Sequence, residues 1–373
     1  MSWFTIKRFI EVSSQEIHIG NDASKNLFGW TRTTMLIVSL IACLLLFLLD
    51  LGLGSVRIPP LEVLKTLSGL APENALWEKI IFMIRMPKAV SAILAGTALA
   101  VAGLQMQTLF HNPLAGPSVL GITAGASLGV AIVMLTSGGA ASIYAIGQLG
   151  IGGSWLIVIA SASGAALVMG FILILSIRLK DNVSLLIIGI MVGNITISLV
   201  SIWQYFSEPE KIQDYLMWTF GSLGGVTTGQ LRIFAVVVIL GMVLTFLNSK
   251  SLNTLLLGEN YARSLGLNVM QARTVIIVTT SLLAGAVTGF CGPIAFIGIA
   301  VPHLARTLLG TSNHRVLIPG TLILGAALML GCDIIAQMPG SQMTLPINAI
   351  TALLGSPVVV WVIMKRRNLR MAF

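Results

Sequence analysis

Ten consecutive residues, Leu257-Gly258-Glu259-Asn260-Tyr261-Ala262-Arg263-Ser264-Leu265-Gly266, carry the densest functional pattern in this sequence. Glu259 and Arg263 are four apart, the spacing at which opposite charges on a helix attract. Gly258 breaks the preceding turn, and Gly266 can close the helix at its C-terminus. Ala262 and Leu265 offer a small apolar face. The segment reads as a short, rigid helix with a defined start and stop. It is either an ordinary connecting helix or an element presented for another protein to grip. The residues alone allow both.

Other chemistry is scarce. There is no Gly-x-x-x-x-Gly-Lys-[Ser/Thr] phosphate loop, no His-Glu-x-x-His zinc pair and no Gly-x-Ser-x-Gly nucleophile turn. The four histidines, His18, His111, His303 and His314, do not pair at ligand spacing. His303, within Pro302-His303-Leu304-Ala305-Arg306, reads as a helix-end or loop contact. Cys43, Cys291 and Cys332 lie in or beside apolar stretches without Cys-x-x-Cys spacing, as buried small hydrophobes do. Two carboxylates fall inside apolar runs, Asp50 and Asp333, and they are not expected to join a buried relay of Asp, Glu and His. A carrier coupled to protons or sodium needs such a relay, so an external energy source is expected. A stand-alone secondary carrier is the alternative. Haem-ligating His pairs across spans, which an electron-transfer subunit would need, are absent.

The elements that must position these residues are helices in lipid. Of 373 residues 56% are hydrophobic and 9% charged, where soluble domains carry about 25% charged residues. The mean hydropathy is +0.94. A spanning helix needs about 20 apolar residues. Runs at 33–54, 88–110, 154–177, 183–205, 231–249, 272–291, 317–337 and 345–364 qualify, and Gly- and Pro-broken runs at 117–136 and 293–309 join them. The fold class is therefore all-α, a polytopic membrane protein of about ten transmembrane helices. A polar leader at 1–32 precedes the transmembrane domain at 33–364, and a basic tail follows at 365–373. The leader is too long and polar for a cleavable signal.

The net charge of +9 is spread over loop ends, so it speaks to topology rather than to nucleic acid. With the N-terminus inside, about 15 of the 22 basic residues fall inside, among them Arg32, Arg178, Lys250, Arg273 and Arg315. Glu62, Glu73, Glu78, Glu208, Glu210 and Asp214 fall outside. Both termini are then cytoplasmic, and the 257–266 helix faces the cytosol. The stretches 55–88 and 206–230 lie outside, each with a short interfacial helix. Gly121, Gly125 and Gly129, Gly285 and Gly289, and Gly96 with Ala100 repeat at four, the interval of close helix packing in lipid.

The 257–266 segment resembles the coupling-helix motif of the FecCD family, permeases of binding-protein-dependent ABC importers for iron–siderophores, haem and cobalamin. Arg85-Met86-Pro87-Lys88 resembles the family's basic-x-Pro-basic lead-in to the second span. Gln105, then Asn112-Pro113-Leu114-Ala115, Pro117 and Leu120-Gly121, resembles its Gln…Asn-Pro-Leu-Ala…Leu-Gly stretch. Gly292-Pro293-Ile294-Ala295-Phe296-Ile297-Gly298 followed by Pro302, His303 and Arg306 resembles another block, and Asn313-His314-Arg315 and Asp333 follow at the family's distances. The similarity runs from about residue 35 to the end. Many relatives carry an Arg after the ninth-span Asp and then Glu-x-Pro-x-Gly, where this chain has Gln337 and Thr344-Leu345-Pro346-Ile347-Asn348.

The resemblance implies a type II ABC importer permease fold in a bacterial inner membrane, with two copies around one path. Candidate lining residues of that path would be Gln105, Met106, Gln107 and Asn194, since amides and a thioether touch a large chelate without a fixed charge. Two ATP-binding subunits would dock on Leu257, Gly258, Glu259, Ala262, Arg263, Leu265 and Gly266, and hold the ATP and magnesium. This chain would carry no cofactor or metal and perform no catalysis. A periplasmic or lipid-anchored binding protein would dock on Arg85 and Lys88. The cargo expected first is an iron chelate, siderophore or haem, with cobalamin second.

Overall fold

The computed structural model describes residues 31–136, 153–179, 182–341 and 343–370, so the leader expected at 1–32 lies almost wholly outside the described residues. All regular structure among the described residues is helical. Helix α1 (Arg32–Gly52) starts where the Thr31 hydroxyl accepts from the Thr34 N–H at 3.2 Å. Its leucines, Leu44 and Leu45 among them, face outward, as lipid requires. Helix α2 (Pro60–Leu67) opens on a proline, whose missing N–H costs nothing in a first turn. The Lys65 ammonium and the Glu73 N–H hold the Glu62 carboxyl below its usual range, pinning the loop after α2.

Helix α3 (Ala75–Ile80) passes through a π-turn (Ile81–Arg85) into α4 (Met86–Leu109). This corrects the expectation that 55–88 is a loop with one short helix: the rod Ala75–Leu109 is continuous over 35 residues. Pro87 directly follows the π-turn, whose wider winding lets the rod pass a residue that has no N–H to donate. The remaining helices are α5 (Ile122–Ala131), α6 (Gly153–Arg178), α7 (Asn182–Phe206), α8 (Pro209–Thr219), α9 (Thr228–Leu247), α10 (Ser249–Leu255), α11 (Glu259–Ser264), α12 (Val269–Cys291), α13 (Ile297–Leu309), α14 (His314–Ala336) and α15 (Ile347–Arg370). Helix α8 is the short helix expected in 206–230, and α15 runs on beyond 364 into the basic tail. Seven described helices are long and apolar enough to span a membrane, and three shorter apolar ones, 122–135, 297–309 and 347–361, complete the expected number.

Helix α4 is the buried centre, packed against α9, α12, α13 and α14, while α5, α6 and α7 form a second group beside it. Glycines set the closest approaches. A Cβ on Gly103 would lie 1.7 Å from the Gly298 carbonyl oxygen, and one on Gly96 would lie 2.2 Å from that of Gly325. Gly125 and Gly129 meet Gly164 and Ala160 in the same way. Gly121 departs from the expected row. It adopts φ +74 and ends the 3₁₀ turn Pro117–Leu120 that leads into α5.

Chain direction sorts the loops into two ends. Helix α2, α8 and the start of α4 share one end, here the α2 end; α10, α11 and the end of α4 share the other, the α11 end. Gly103→Ala should lower the thermal unfolding temperature in detergent, costing about 1–3 kcal/mol through backbone displacement. Gly170→Ala, with nothing within 4 Å of its added carbon, should be neutral or slightly stabilising in the same melt.

Candidate functional site

Gly258 takes φ +95, a region closed to most side chains, and turns the chain sharply into α11. At the far end Gly266 takes φ +84. The Leu267 N–H bonds the Ala262 carbonyl at 3.0 Å and the Gly266 N–H bonds that of Arg263 at 2.9 Å, the paired closure of a Schellman cap. Both glycines therefore serve the boundaries expected of them. The apolar face divides differently from the sequence reading. Ala262 is fully buried against the bundle, whereas Leu257, Tyr261 and Leu265 are 57–59% exposed. The short helix and its two flanks thus expose three large apolar groups, Tyr261 within it and Leu257 and Leu265 at its ends.

The Glu259–Arg263 pair is present at 3.6 Å, with Arg263 about half exposed, and such a pair contributes little. Glu259 has closer partners that the sequence did not disclose. Its Oε1 accepts from Arg273 Nη2 at 2.9 Å and from Asn182 Nδ2 at 2.6 Å. Arg273, buried at the start of α12, donates through Nη1 to the Leu179 carbonyl at 2.9 Å. Arg273 was read only as a topology charge. Its distance from Glu259 in sequence hides the pairing, and Asn182 shows only as a polar residue opening an apolar run.

A cavity of about 450 Å³ opens between α5 and α7 under α8. Thr123 and Ser127 of α5, Asn194, Ser201 and Gln204 of α7, and Tyr215 of α8 line it, and no charged residue does. Tyr215 bonds Ser127, and burial pushes its phenol up, so it stays a neutral hydrogen-bonding group. Asn194 is thus on a cavity wall. Gln105, Met106 and Gln107 are not: all three are buried inside the protomer. Gln105 donates to Thr245 Oγ1 at 3.0 Å and accepts from Thr279 Oγ1 at 2.7 Å, tying α4 to α9 and α12. Gln107 donates to the Ile299 carbonyl at 3.1 Å and accepts from Arg306. Amides inside a bundle in lipid must find partners, and these found them across helices rather than along a path.

The motif residues brace the turn between α4 and α5 against α13. His303 Nε2 donates to the Pro113 carbonyl at 2.7 Å, the loop contact expected of it. Asn112 Oδ1 accepts from the Leu114 N–H at 2.9 Å and closes the turn. Pro302 lies within α13, and Gly292, at φ +79 before Pro293, has the Trp218 carbonyl where a side chain would go. Among the described residues no group of three or more His, Cys, Asp or Glu gathers in metal-binding geometry.

At the α2 end the structure revises three readings. Arg85 is 8% exposed and donates from Nη1 to the Leu51 carbonyl at 2.6 Å and from its other terminal nitrogen to that of Val56. Lys88 pairs with Asp333 at 3.0 Å. Neither is the free surface charge expected for docking; only Lys88 still borders an open cavity, with Phe220 and Pro346. Asp50 and Asp333 do meet. Gln337 Nε2 donates to Asp50 Oδ1 at 2.7 Å and to Asp333 Oδ2 at 2.8 Å, joining residues 287 positions apart. Buried carboxylates require donors, and one amide group with two N–H bonds serves both. Gln337→Ala should therefore destabilise the protein by about 1–3 kcal/mol in a detergent melt, and Asp50→Asn, whose amide oxygen still accepts, should cost less.

Comparison with known proteins agrees with this geometry. The model of the FecCD transport family matches residues 41–365. The vitamin B12 import system permease protein BtuC of Klebsiella pneumoniae is 37% identical over 344 residues, 92% of this chain and 94% of its own. The hemin transport system permease protein HmuU of Yersinia pestis is 33% identical over 329 residues, 88% and 96% of the two chains. A solved inward-facing conformation of a metal-chelate type ABC transporter superposes with TM-score 0.77 at 25% identity, over 89% of this chain and 99% of that one. The matched range takes in α11, the α5–α7 cavity and the His303 brace together, and this chain belongs to the FecCD transport family as a membrane-spanning ABC importer permease, not an enzyme.

Proposed function

We propose that this permease passes a metal chelate of the cobalamin class, and that a second copy of the chain completes the path. The uncharged wall of the α5–α7 cavity carries this reading. Hydroxyls and amides of Thr123, Ser127, Asn194 and Gln204 suit a cargo whose rim is amide-rich and neutral. They hydrogen-bond it without the tight hold of a fixed charge, which would slow release. The vitamin B12 permease of Klebsiella supports the same class. The second reading is an iron chelate, haem before siderophore, favoured by the hemin permease of Yersinia.

In this proposal the α11 end is cytoplasmic, supported by Lys250, Arg263, Arg273 and Arg315 gathered there. Separate ATP-binding subunits, holding ATP and magnesium, grip Leu257, Tyr261 and Leu265. This chain holds no cofactor. A substrate-binding protein meets the opposite end, where Lys88 borders the open cavity and Arg85, spent on backbone carbonyls, takes no part.

Uptake of labelled cobalamin, haem and an iron–siderophore, measured in cells lacking the gene and in complemented cells, tests the cargo. Loss and recovery of cobalamin uptake alone is the expected result; loss of haem uptake alone selects the second reading, and no change in any of the three removes the chelate assignment. Tyr261→Ala with Leu265→Ala should weaken co-purification of the ATP-binding subunits about thirtyfold, the effect of losing roughly 2 kcal/mol at an interface centre. Undiminished co-purification would move the docking surface elsewhere.

A further inference from the structure

The junction between α6 and α7 is held from both sides by the residues that seat α11. Arg273 Nη1 binds the Leu179 carbonyl just beyond α6, and Glu259 Oε1 binds Asn182 Nδ2 at the first turn of α7. Asn182 Nδ2 also donates to the Leu109 carbonyl at the end of α4, at 2.9 Å. One side-chain amide therefore joins α11, α7 and α4.

The rest of α7 packs through one narrow face. Much of its surface, Ile187, Ile195 and Ile202 included, is exposed. Its inward stripe is narrow: Asn182, Leu185, Gly189, Gly193, Thr196 and Val200 fall on one helical face by their spacing. A Cβ on Gly189 would lie 2.8 Å from the Val119 carbonyl oxygen and 2.9 Å from Leu120 Cα. Backbone rests on backbone at that point, with the Leu120 side chain 3.4 Å away, so the glycine is the pivot of the contact. Beyond this seat, Asn194, Ser201 and Gln204 form the α7 wall of the cavity. A helix tied at one end, resting on a glycine seat and bearing the cavity wall past it has the form of a lever.

We propose that Asn182 is the positioning residue through which displacement of α11 swings α7 and changes the exposure of the cavity. The inference rests on the importer reading, in which ATP-binding subunits move α11. A carboxylate–amide hydrogen bond at 2.6 Å is short and directional, so it transmits displacement rather than absorbing it.

The test uses Asn194→Cys as a reporter in the complete transporter with its ATP-binding subunits. Native Cys43, Cys291 and Cys332 are buried, so a polar maleimide reads the cavity wall. Its modification rate is compared with and without ATP, alongside ATP hydrolysis. Without further changes the rate should shift about tenfold with ATP, the scale of an ordinary coupling between sites. Adding Asn182→Ala should reduce that shift to less than about twofold while hydrolysis continues. Asn182→Asp sets two carboxylates against each other and should also abolish the shift. Asn182→Gln, which keeps an amide N–H for Glu259 Oε1, should retain the shift; this distinguishes a broken link from a damaged fold. A full ATP response in Asn182→Ala, or loss of the response in Asn182→Gln, overturns the role of Asn182. No ATP response in the reporter alone fails the importer reading at this cavity instead.

Discussion

The structure depends on the absence of a hydrophobic force between helices in lipid. Hydrocarbon tails are as apolar as leucine, so helices associate through close packing and through polar groups that must be satisfied internally. Helix α4 meets both demands. Gly96 and Gly103 bring its backbone against α14 and α13, and Gln105 and Gln107 bond across to α9, α12 and α13. Its surface disappears into the bundle, while α1, α7 and α9 keep wide apolar faces for lipid.

Charge is used sparingly and in pairs. At the α2 end, Lys88 and Gln337 meet the demands of two buried carboxylates, and Arg85 satisfies carbonyls where α1 ends. At the α11 end, Glu259 and Arg273 bind each other and two neighbouring segments. Breaking such a pair leaves an uncompensated charge, so each holds its segment in one geometry. Between these polar ends lies the uncharged cavity, whose wall offers hydroxyls and amides in place of ions.

Particular residues show how far the sequence could be read. Gly258 and Gly266 announced the boundaries of α11, because positive φ is a local demand and glycine the local answer. Hydropathy found nearly every span, since lipid imposes one length and one polarity on each. It missed the helical run from Ala75, whose π-turn keeps Pro87 within a continuous rod. Gln105 and Met106 looked like path residues and proved to be interior, because a polar residue on a span faces a channel or a neighbouring helix with the same local pattern.

The sequence by itself determined the medium, the helical class, the family motifs and the caps of α11. Each of these follows from composition or from residues a few positions apart. Only the tertiary structure decided which polar groups meet: Asp50 with Gln337, Glu259 with Asn182, His303 with Pro113. A buried carboxylate specifies that a donor must exist. It does not specify which of many distant donors the packing of helices will bring within 3 Å.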